Sequence, residues 1–223
     1  FLQLMDTDTM SMIFTPNTEI VMMAQQDKAL RSILREADLV VPDGIGLVYA
    51  SRIHNLGLDE RVTGIDLMER ILKYCHTTKR SIYILGGKPG VAERAMEAIL
   101  KAYPGIVSKG FQDGYFKPEQ ELNIIDRINE LKPDILFVAM GAPKQEKWIY
   151  KYRKILNAKV AMGVGGSVDV WAGTAKRAPL FYQKANLEWL YRLIKNPSRI
   201  GRMMALPKFM LRVILSRDFS SDY

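Results

Sequence analysis

The sequence is poor in the residues that hold disulfides and metal ions. Its 223 residues include one cysteine, Cys75, and two histidines. One cysteine excludes an internal disulfide, which fits a reducing compartment. The two histidines have no second ligand at metal spacing, so we predict no metal ion, and the sequence calls for no other cofactor.

Long apolar runs and a signal peptide are also lacking. No stretch reaches the ~18 uninterrupted apolar residues of a spanning helix, so any membrane contact is expected from the side. The first twelve residues have no basic region of the kind that begins a signal peptide, and they include Asp6 and Asp8. The first residue is not Met, so an N-terminal segment could precede it.

Positive charge is concentrated at the C-terminal end. The net charge is +8, and the chain from Lys176 onward has ten basic residues against three acidic ones. These bases alternate with aromatic residues and methionines at helical spacing. The pattern predicts a basic amphipathic helical appendage that contacts an anionic membrane surface. A nucleic-acid-binding tail is the alternative, but no nucleic-acid motif accompanies the charge, so no nucleic-acid partner is predicted.

Before this tail, short β-branched runs alternate with amphipathic helical stretches. Four runs end in Gly, Asp or Pro and predict buried parallel strands at 37–41, 81–85, 134–140 and 159–164, and helices are predicted over 91–102 and 119–131. This alternation predicts an α/β fold, Rossmann-like, with a mostly parallel sheet flanked by helices. We expect two parts, an α/β catalytic core of 1–178 and the helical appendage of 179–223.

Four turns at predicted strand ends carry the candidate site residues. Thr15 and Asn17 flank Pro16, where Asn17 is either a simple helix N-cap or, with Thr15, part of a ligand pocket. Asp43 stands between Pro42 and Gly44, where a partly desolvated carboxylate could act as a general base, although an Asx turn or helix cap is the plainer interpretation.

The other two turns follow the last predicted strands. Gln145 lies in Gly141–Trp148, where polar side chains could bind a sugar or uracil, or could form a solvated first helical turn with Glu146 beside the helix dipole. Gly165 and Gly166 form a Gly-rich turn whose N–H groups could approach a phosphate. The turn lacks the fingerprint of a Walker A loop or of a dinucleotide-binding dehydrogenase.

In combination and in this order, seven motifs resemble the WecG/TagA/CpsF family, glycosyltransferase family 26. They cover nearly the whole chain and lie at residues 15–21, 41–46, 60–67, 141–148, 163–169, 177–179 and 188–193. The resemblance implies an inverting, metal-independent transfer of N-acetylmannosamine from its UDP derivative. The implied acceptor is the 4-hydroxyl of N-acetylglucosamine on undecaprenyl diphosphate, an early step of wall teichoic acid synthesis.

The resemblance also implies roles for particular residues. Asp43 matches the family's proposed base, and Thr15, Asn17, Arg61 and Gln145 match pocket residues. The arginines that match those of the C-terminal appendage, expected to close over the active site and hold the diphosphate, are Arg192, Arg199 and Arg202. Arginine suits diphosphate because its planar fork donates two hydrogen bonds.

The family resemblance leaves other properties open. A different donor, the uronic acid of N-acetylmannosamine or a UDP-hexose, is the alternative activity. The implied location is the cytoplasmic face of the bacterial plasma membrane, as a peripheral protein. An exposed apolar surface on the core could also make the chain a homo-oligomer when the tail is undocked.

Overall fold

The computed structural model describes residues 1–216, apart from the side chains of Arg199 and Arg202. The strands are β1 (Ser11–Phe14), β2 (Leu39–Val40), β3 (Ser81–Gly86), β4 (Val107–Gln112), β5 (Ile135–Ala139) and β6 (Val160–Gly163). The helices are α1 (Thr18–Gln26), α2 (Lys28–Arg35), α3 (Ile45–His54), α4 (Gly64–Thr78), α5 (Val91–Ala102), α6 (Glu121–Leu131), α7 (Lys144–Tyr152), α8 (Ser167–Trp171), α9 (Leu180–Lys184), α10 (Glu188–Lys195), α11 (Ile200–Met203) and α12 (Ala205–Leu215). Short 3-10 helices cover Leu2–Asp6, Pro118–Gln120 and Pro197–Arg199.

All strand pairs in the six-stranded sheet are parallel. The strand order is β2-β1-β6-β5-β3-β4. The predicted α/β class with a parallel, helix-flanked sheet is therefore confirmed. Because the strands are parallel, their carboxyl ends share one edge of the sheet, which is where ligands bind in such folds.

The chain forms two compact units. The first unit contains 1–15, 32–40 and 64–176, and thus the whole sheet. The second contains 16–31, 41–63 and the chain from Arg177 onward, and thus α1, α3 and α9 to α12. The predicted division into 1–178 and 179–223 stays a prediction, and the second unit also includes two segments from the N-terminal quarter of the chain.

The central strands of the first unit have continuous apolar sequences because they lie within its hydrophobic core. On one face of the sheet, Phe14, Tyr83 and Leu136 pack with Ile125 of α6 and Trp148 of α7. The alternate strand residues point to the other face, where α5 packs on β3 and β4 and α4 and α5 contact α8. The central strands β3, β5 and β6 are buried on both faces, which favours apolar residues along their whole length.

A polar clamp joins the amino ends of β3 and β5. Asp134 accepts hydrogen bonds from the Ser81 N–H at 2.8 Å, the Ser81 hydroxyl at 2.6 Å and Arg80 Nη1 at 3.0 Å. Burial alone would raise the pKa of the Asp134 carboxyl, but these hydrogen bonds outweigh burial and lower its pKa from the ordinary value. The clamp fixes the register of two central strands.

The second unit has a small core of its own. Ala50 of α3 packs with Phe209 and Val213 of α12, and α1 also contacts α12. The His54 Nε2 lies 3.0 Å from the carbonyl oxygen of Val213. In the tail, where a helical appendage is predicted, the structure has the helices α9 to α12. Within residues 1–216, no helix is both long and apolar enough to cross a membrane.

Candidate active site

The turn after β1 contains the first two predicted site residues. Asn17 is the N-cap of α1, and its Oδ1 accepts a hydrogen bond from the Ile20 N–H at 3.0 Å. The predicted capping role is therefore confirmed. Thr15 directly follows β1 and is half-buried. A pocket role for either side chain stays a prediction.

The Pro42–Gly44 turn holds Asp43 within the second unit. The Asp43 N–H donates to the carbonyl oxygen of Pro16 at 3.0 Å. A Cβ on Gly44 would lie 3.2 Å from the backbone nitrogen of Thr18, so only glycine fits comfortably here. The Asp43 side chain is 29% exposed. It is therefore a partly desolvated carboxylate on a turn fixed by backbone contacts.

Arg61 is a charged neighbour of Asp43. Its Nη2 lies 3.6 Å from Asp43 Oδ1, and its Nε donates to the Asp43 carbonyl oxygen at 3.1 Å. The Arg61 side chain is only 13% exposed. The guanidinium therefore holds both the backbone and the carboxylate of Asp43, in surroundings where charge is weakly screened.

These residues line one pocket, which lies entirely within the second unit. Asn17, Asp43, Arg61 and the exposed Arg192 line it together, with Glu19, Glu188, Trp189, Met203 and Leu206. The side chains of Arg199 and Arg202 lie outside the described residues, so their predicted diphosphate role stays a prediction. The structure thus brings four of the predicted residues to one place.

The other predicted residues lie in the first unit, where Gln145 is buried rather than solvated. Its Oε1 accepts from the Gly165 N–H at 3.1 Å, and its Nε2 donates to Glu146 Oε1 at 2.9 Å. Burial raises the pKa of the Glu146 carboxyl. The alternative of a solvated first helical turn is therefore wrong for both residues. A Cβ on Gly163 would meet Gln145 Nε2 at 2.8 Å, so that glycine makes room for the amide.

The Gly165–Gly166 turn follows β6, as predicted. Gly165 has a φ of +47°, which an L side chain rarely adopts. Its N–H donates a hydrogen bond to Gln145 Oε1, so the Gln145 side chain holds the turn in place. Substrate contacts by Gln145, Gly165 and Gly166 stay predictions.

A second pocket, within the first unit, follows the carboxyl ends of β3, β4 and β5. It measures about 600 Å³, within the range of small-molecule sites. Three lysines and two aromatic residues dominate its lining, which includes Lys88, Tyr115, Phe116, Lys117, Lys144 and Asp169. Lys144 Nζ lies 5.6 Å from the centre of the Phe116 ring. Positive charge beside exposed rings is typical of a site for an anion joined to a flat base.

Backbone contacts fix the shape of this pocket. The Gly87 N–H donates to the Ala139 carbonyl oxygen at 2.9 Å, and the Gly114 N–H donates to the Gly87 carbonyl oxygen at 2.9 Å. These bonds tie together the chain segments after β3, β4 and β5. Lys88 and Lys117 were not predicted as site residues, whereas Lys144 lies in the Gly141–Trp148 segment whose polar side chains were. The run Gly86-Gly87-Lys88-Pro89-Gly90 directly after a buried strand was the signal that could have revealed it.

The isolated histidines have structural contacts. His76 Nδ1 accepts from the Gly105 N–H at 2.8 Å, and His54 contacts the α12 backbone as described above. In the part of the chain that the structure describes, no three His, Cys, Asp or Glu side chains are grouped as metal ligands would be. The prediction that the enzyme needs no metal stays a prediction.

Comparison with known proteins agrees with this arrangement. The family model described as "Glycosyl transferase WecG/TagA/CpsF family" matches residues 1–222. A protein of Bacillus spizizenii is 38% identical over 94% of this chain and 81% of its own length. A protein of Staphylococcus aureus is 41% identical over 90% of this chain and 78% of its own length. One from Bacillus subtilis is 38% identical over 92% of this chain and 79% of its own.

The three relatives carry one name, N-acetylglucosaminyldiphosphoundecaprenol N-acetyl-beta-D-mannosaminyltransferase. The family match includes the turns that hold Asn17, Asp43 and Gln145, and each of the three relatives covers at least 90% of this chain. This chain belongs to the WecG/TagA/CpsF glycosyltransferase family.

Proposed function

We propose that this enzyme transfers N-acetylmannosamine from its UDP derivative to the 4-hydroxyl of N-acetylglucosamine on undecaprenyl diphosphate, in wall teichoic acid synthesis. The relatives' shared name supports the sugar and the acceptor. The observation that carries the proposal in the structure is the half-buried Asp43 carboxylate beside Arg61, in a pocket that Arg192 also lines. The alternative donors are not favoured by these comparisons.

Asp43 suits the role of general base. In an inverting transfer, the acceptor hydroxyl attacks the anomeric carbon while a base takes its proton, and the bond to the nucleotide diphosphate breaks. Asp43 lies on a rigid turn and remains partly exposed to accept that proton. Arginines can stabilise the departing diphosphate without a metal, and Arg192, with Arg199 and Arg202, is proposed for that role.

The pocket in the first unit suits the nucleotide part of the donor. Tyr115 offers a ring on which uracil can stack, and Lys88, Lys117 and Lys144 line the same pocket. Asp169 can accept hydrogen bonds from ribose hydroxyls. The proposed substrate-binding residues are Thr15, Asn17, Arg61, Gln145, Gly165 and Gly166.

The test is a transfer assay with EDTA present. The full chain is given UDP-N-acetylmannosamine and a soluble analogue of N-acetylglucosaminyl lipid diphosphate. We expect disaccharide from the full chain, and a turnover lower by ~10²–10⁴-fold in Asp43→Asn, because a positioned base contributes that much. Asp59→Asn, in an exposed loop of the same unit, is the matched control and should keep its activity.

The outcomes separate the parts of the proposal. Near-normal turnover in Asp43→Asn would exclude this carboxylate as the base. Product formed only from the uronic acid donor or a UDP-hexose would overturn the assignment of the donor. Loss of all product in EDTA, restored by a divalent cation, would overturn metal independence.

We further propose that the tail contacts an anionic membrane surface at the cytoplasmic face. Six apolar side chains of the tail helices are well exposed: Leu180, Phe181, Ile194, Leu211, Ile214 and Leu215. Lys184, Lys195 and Lys208 lie on the same helices. A peripheral membrane element needs apolar side chains that enter the membrane interface, and it needs basic side chains that bind anionic headgroups.

Vesicle flotation tests the membrane proposal. The double variant Ile214→Glu with Leu215→Glu should lose most binding to phosphatidylglycerol-containing vesicles, and binding of the unchanged chain should weaken with salt. Leu122→Glu is the control, because Leu122 is equally exposed but lies on α6. Equal binding by both variants would contradict the proposal. Sedimentation without vesicles measures self-association, which stays a prediction.

A further inference from the structure

The tail contributes a buried carboxylate that has no part in the proposed transfer reaction. Glu188 begins α10, and its residue surface is only 4% exposed. A carboxylate taken out of water this completely is costly unless positive groups surround it. Its neighbours therefore show what it is there to hold.

Arginines flank both oxygens of Glu188. Its Oε2 accepts a hydrogen bond from Arg61 Nη2 at 2.5 Å, and its Oε1 lies 3.7 Å from Arg177 Nε. The other nitrogens of Arg61 are also engaged. Nη1 lies 3.4 Å from Asn186 Oδ1, and Nε donates to the Asp43 carbonyl oxygen. Arg61 is thus fixed at each of its three nitrogens.

Asp43 and Glu188 compete for the same atom of Arg61. Nη2 lies 2.5 Å from Glu188 but 3.6 Å from Asp43, so the two carboxylates can be no more than about 6 Å apart. The ion pair of Arg61 with Asp43, at 3.6 Å, is the longer of the two. The buried Glu188 takes the stronger contact and leaves the more exposed Asp43 with the weaker one.

We propose that Glu188 is a positioning residue: it holds Arg61 back from Asp43, so that Asp43 keeps the basicity needed to deprotonate the acceptor hydroxyl. The inference rests on the proposed function of Asp43. It makes α10 of the tail part of the base's environment. Among the side chains that the structure describes, Glu19, Arg61, Glu188 and Arg192 are the other charged ones that line the same pocket.

The physical effect of losing Glu188 has a definite sign. In Glu188→Gln the shape and an acceptor oxygen remain, but the negative charge is gone. Arg61 then loses its negatively charged partner Glu188, and a like charge no longer opposes ionisation of Asp43, so this carboxylate becomes a weaker base. We expect kcat about tenfold lower, KM within about twofold, and the acid limb of the pH–rate profile about one unit lower.

Two further variants provide a control and a change of opposite sign. Glu69→Gln removes a carboxylate from an exposed pair with Lys73 and should leave the profile unchanged. Arg177→Gln removes the positive group at the other oxygen of Glu188, which strengthens the hold of Glu188 on Arg61. Its acid limb should move to higher pH, the opposite direction to Glu188→Gln. This variant still tests the inference if Glu188→Gln fails to fold.

The decisive outcomes are distinct from those of the proposed function. An unmoved acid limb in Glu188→Gln, with only a higher KM or a lower melting temperature, would overturn the inference, because Glu188 would then contact substrate or merely stabilise the fold. If the unchanged chain shows no transfer, the proposed function fails. Carbon-detected NMR titration of the Asp43 carboxyl in both chains then still decides whether Glu188 sets its ionisation, and equal midpoints would refute it.

Discussion

Gly86 is the position where an added methyl group should do the most harm to the sheet. It ends β3 with a φ of +128°, and a Cβ built there would lie 2.4 Å from the Ala139 carbonyl oxygen and 2.5 Å from its carbon. These are backbone atoms of the neighbouring strand, so no side-chain rotation can relieve the overlap. Gly86→Ala therefore requires the carboxyl ends of β3 and β5 to separate.

The cost has two parts. Forcing a non-glycine residue into this region costs ~1–3 kcal/mol. Separating the strands also breaks the Gly87 N–H bond to the Ala139 oxygen, worth ~1 kcal/mol. With the steric displacement we expect a loss of about 4 kcal/mol, a large share of the ~5–15 kcal/mol by which such chains are stable.

Urea unfolding followed by circular dichroism measures this loss. With a slope of ~2 kcal/mol/M, the midpoint should fall by ~2 M. Gly141→Ala is the matched control: it follows β5, has a φ of +74°, and has nothing within 4 Å of a built Cβ. That variant should lose only ~1 kcal/mol through its backbone conformation. Equal losses in the two variants would refute the argument from overlap with Ala139.

Two further predictions concern titratable groups of the first unit. Asp134→Asn should cost about 2 kcal/mol at pH 7, because a charged acceptor of three hydrogen bonds is lost. The folded-state pKa of Asp134 is lowered, so its contribution to stability is present above the unfolded-state pKa and is lost as the pH falls through the folded-state pKa. The difference in urea midpoint between Asp134→Asn and the unchanged chain should therefore be smaller at pH 3 than at pH 7. The same difference at both pH values would contradict this prediction. Burial raises the pKa of the Cys75 thiol to about 12. Iodoacetamide should therefore leave the folded chain unmodified at pH 8 and should label Cys75 only after unfolding. Rapid labelling of the folded chain would contradict this, because the thiol would then be accessible.

Hydrophobic pattern was enough to predict most of the sheet. The runs that became β3, β5 and β6 are buried on both faces, and such strands carry an unbroken apolar signal. The helix over Val91–Ala102 has the predicted boundaries. In contrast, β4 was missed because it is an edge strand with Ser108, Lys109 and Gly110 in its middle and no fully buried residue. The strand at Ser11–Phe14 was too short to show a period.

In the candidate site, local sequence predicted some features, whereas others depend on contacts between distant residues. Local chemistry predicted the Asn17 cap and the turn that carries Asp43, because capping and turn formation depend on neighbours in sequence. The bond between Arg61 and Glu188 joins residues 127 positions apart, and no local pattern marks such a pair. The burial of Gln145 and Glu146 was missed for a related reason: polar residues at the start of a helix usually face solvent.

The second unit is assembled from segments at opposite ends of the chain, and this has a consequence for its synthesis. Segments 16–31 and 41–63 leave the ribosome early, but their partners, from Arg177 onward, leave last. At translation rates of ~5–20 residues per second, the early segments wait for several seconds before α10 and α12 can join them. During that interval Arg61 has no Glu188 to bind, so the proposed base acquires the surroundings described above only after α10 has been synthesised. A nascent chain that stops before α10 is therefore expected to lack the contact between Arg61 and Glu188.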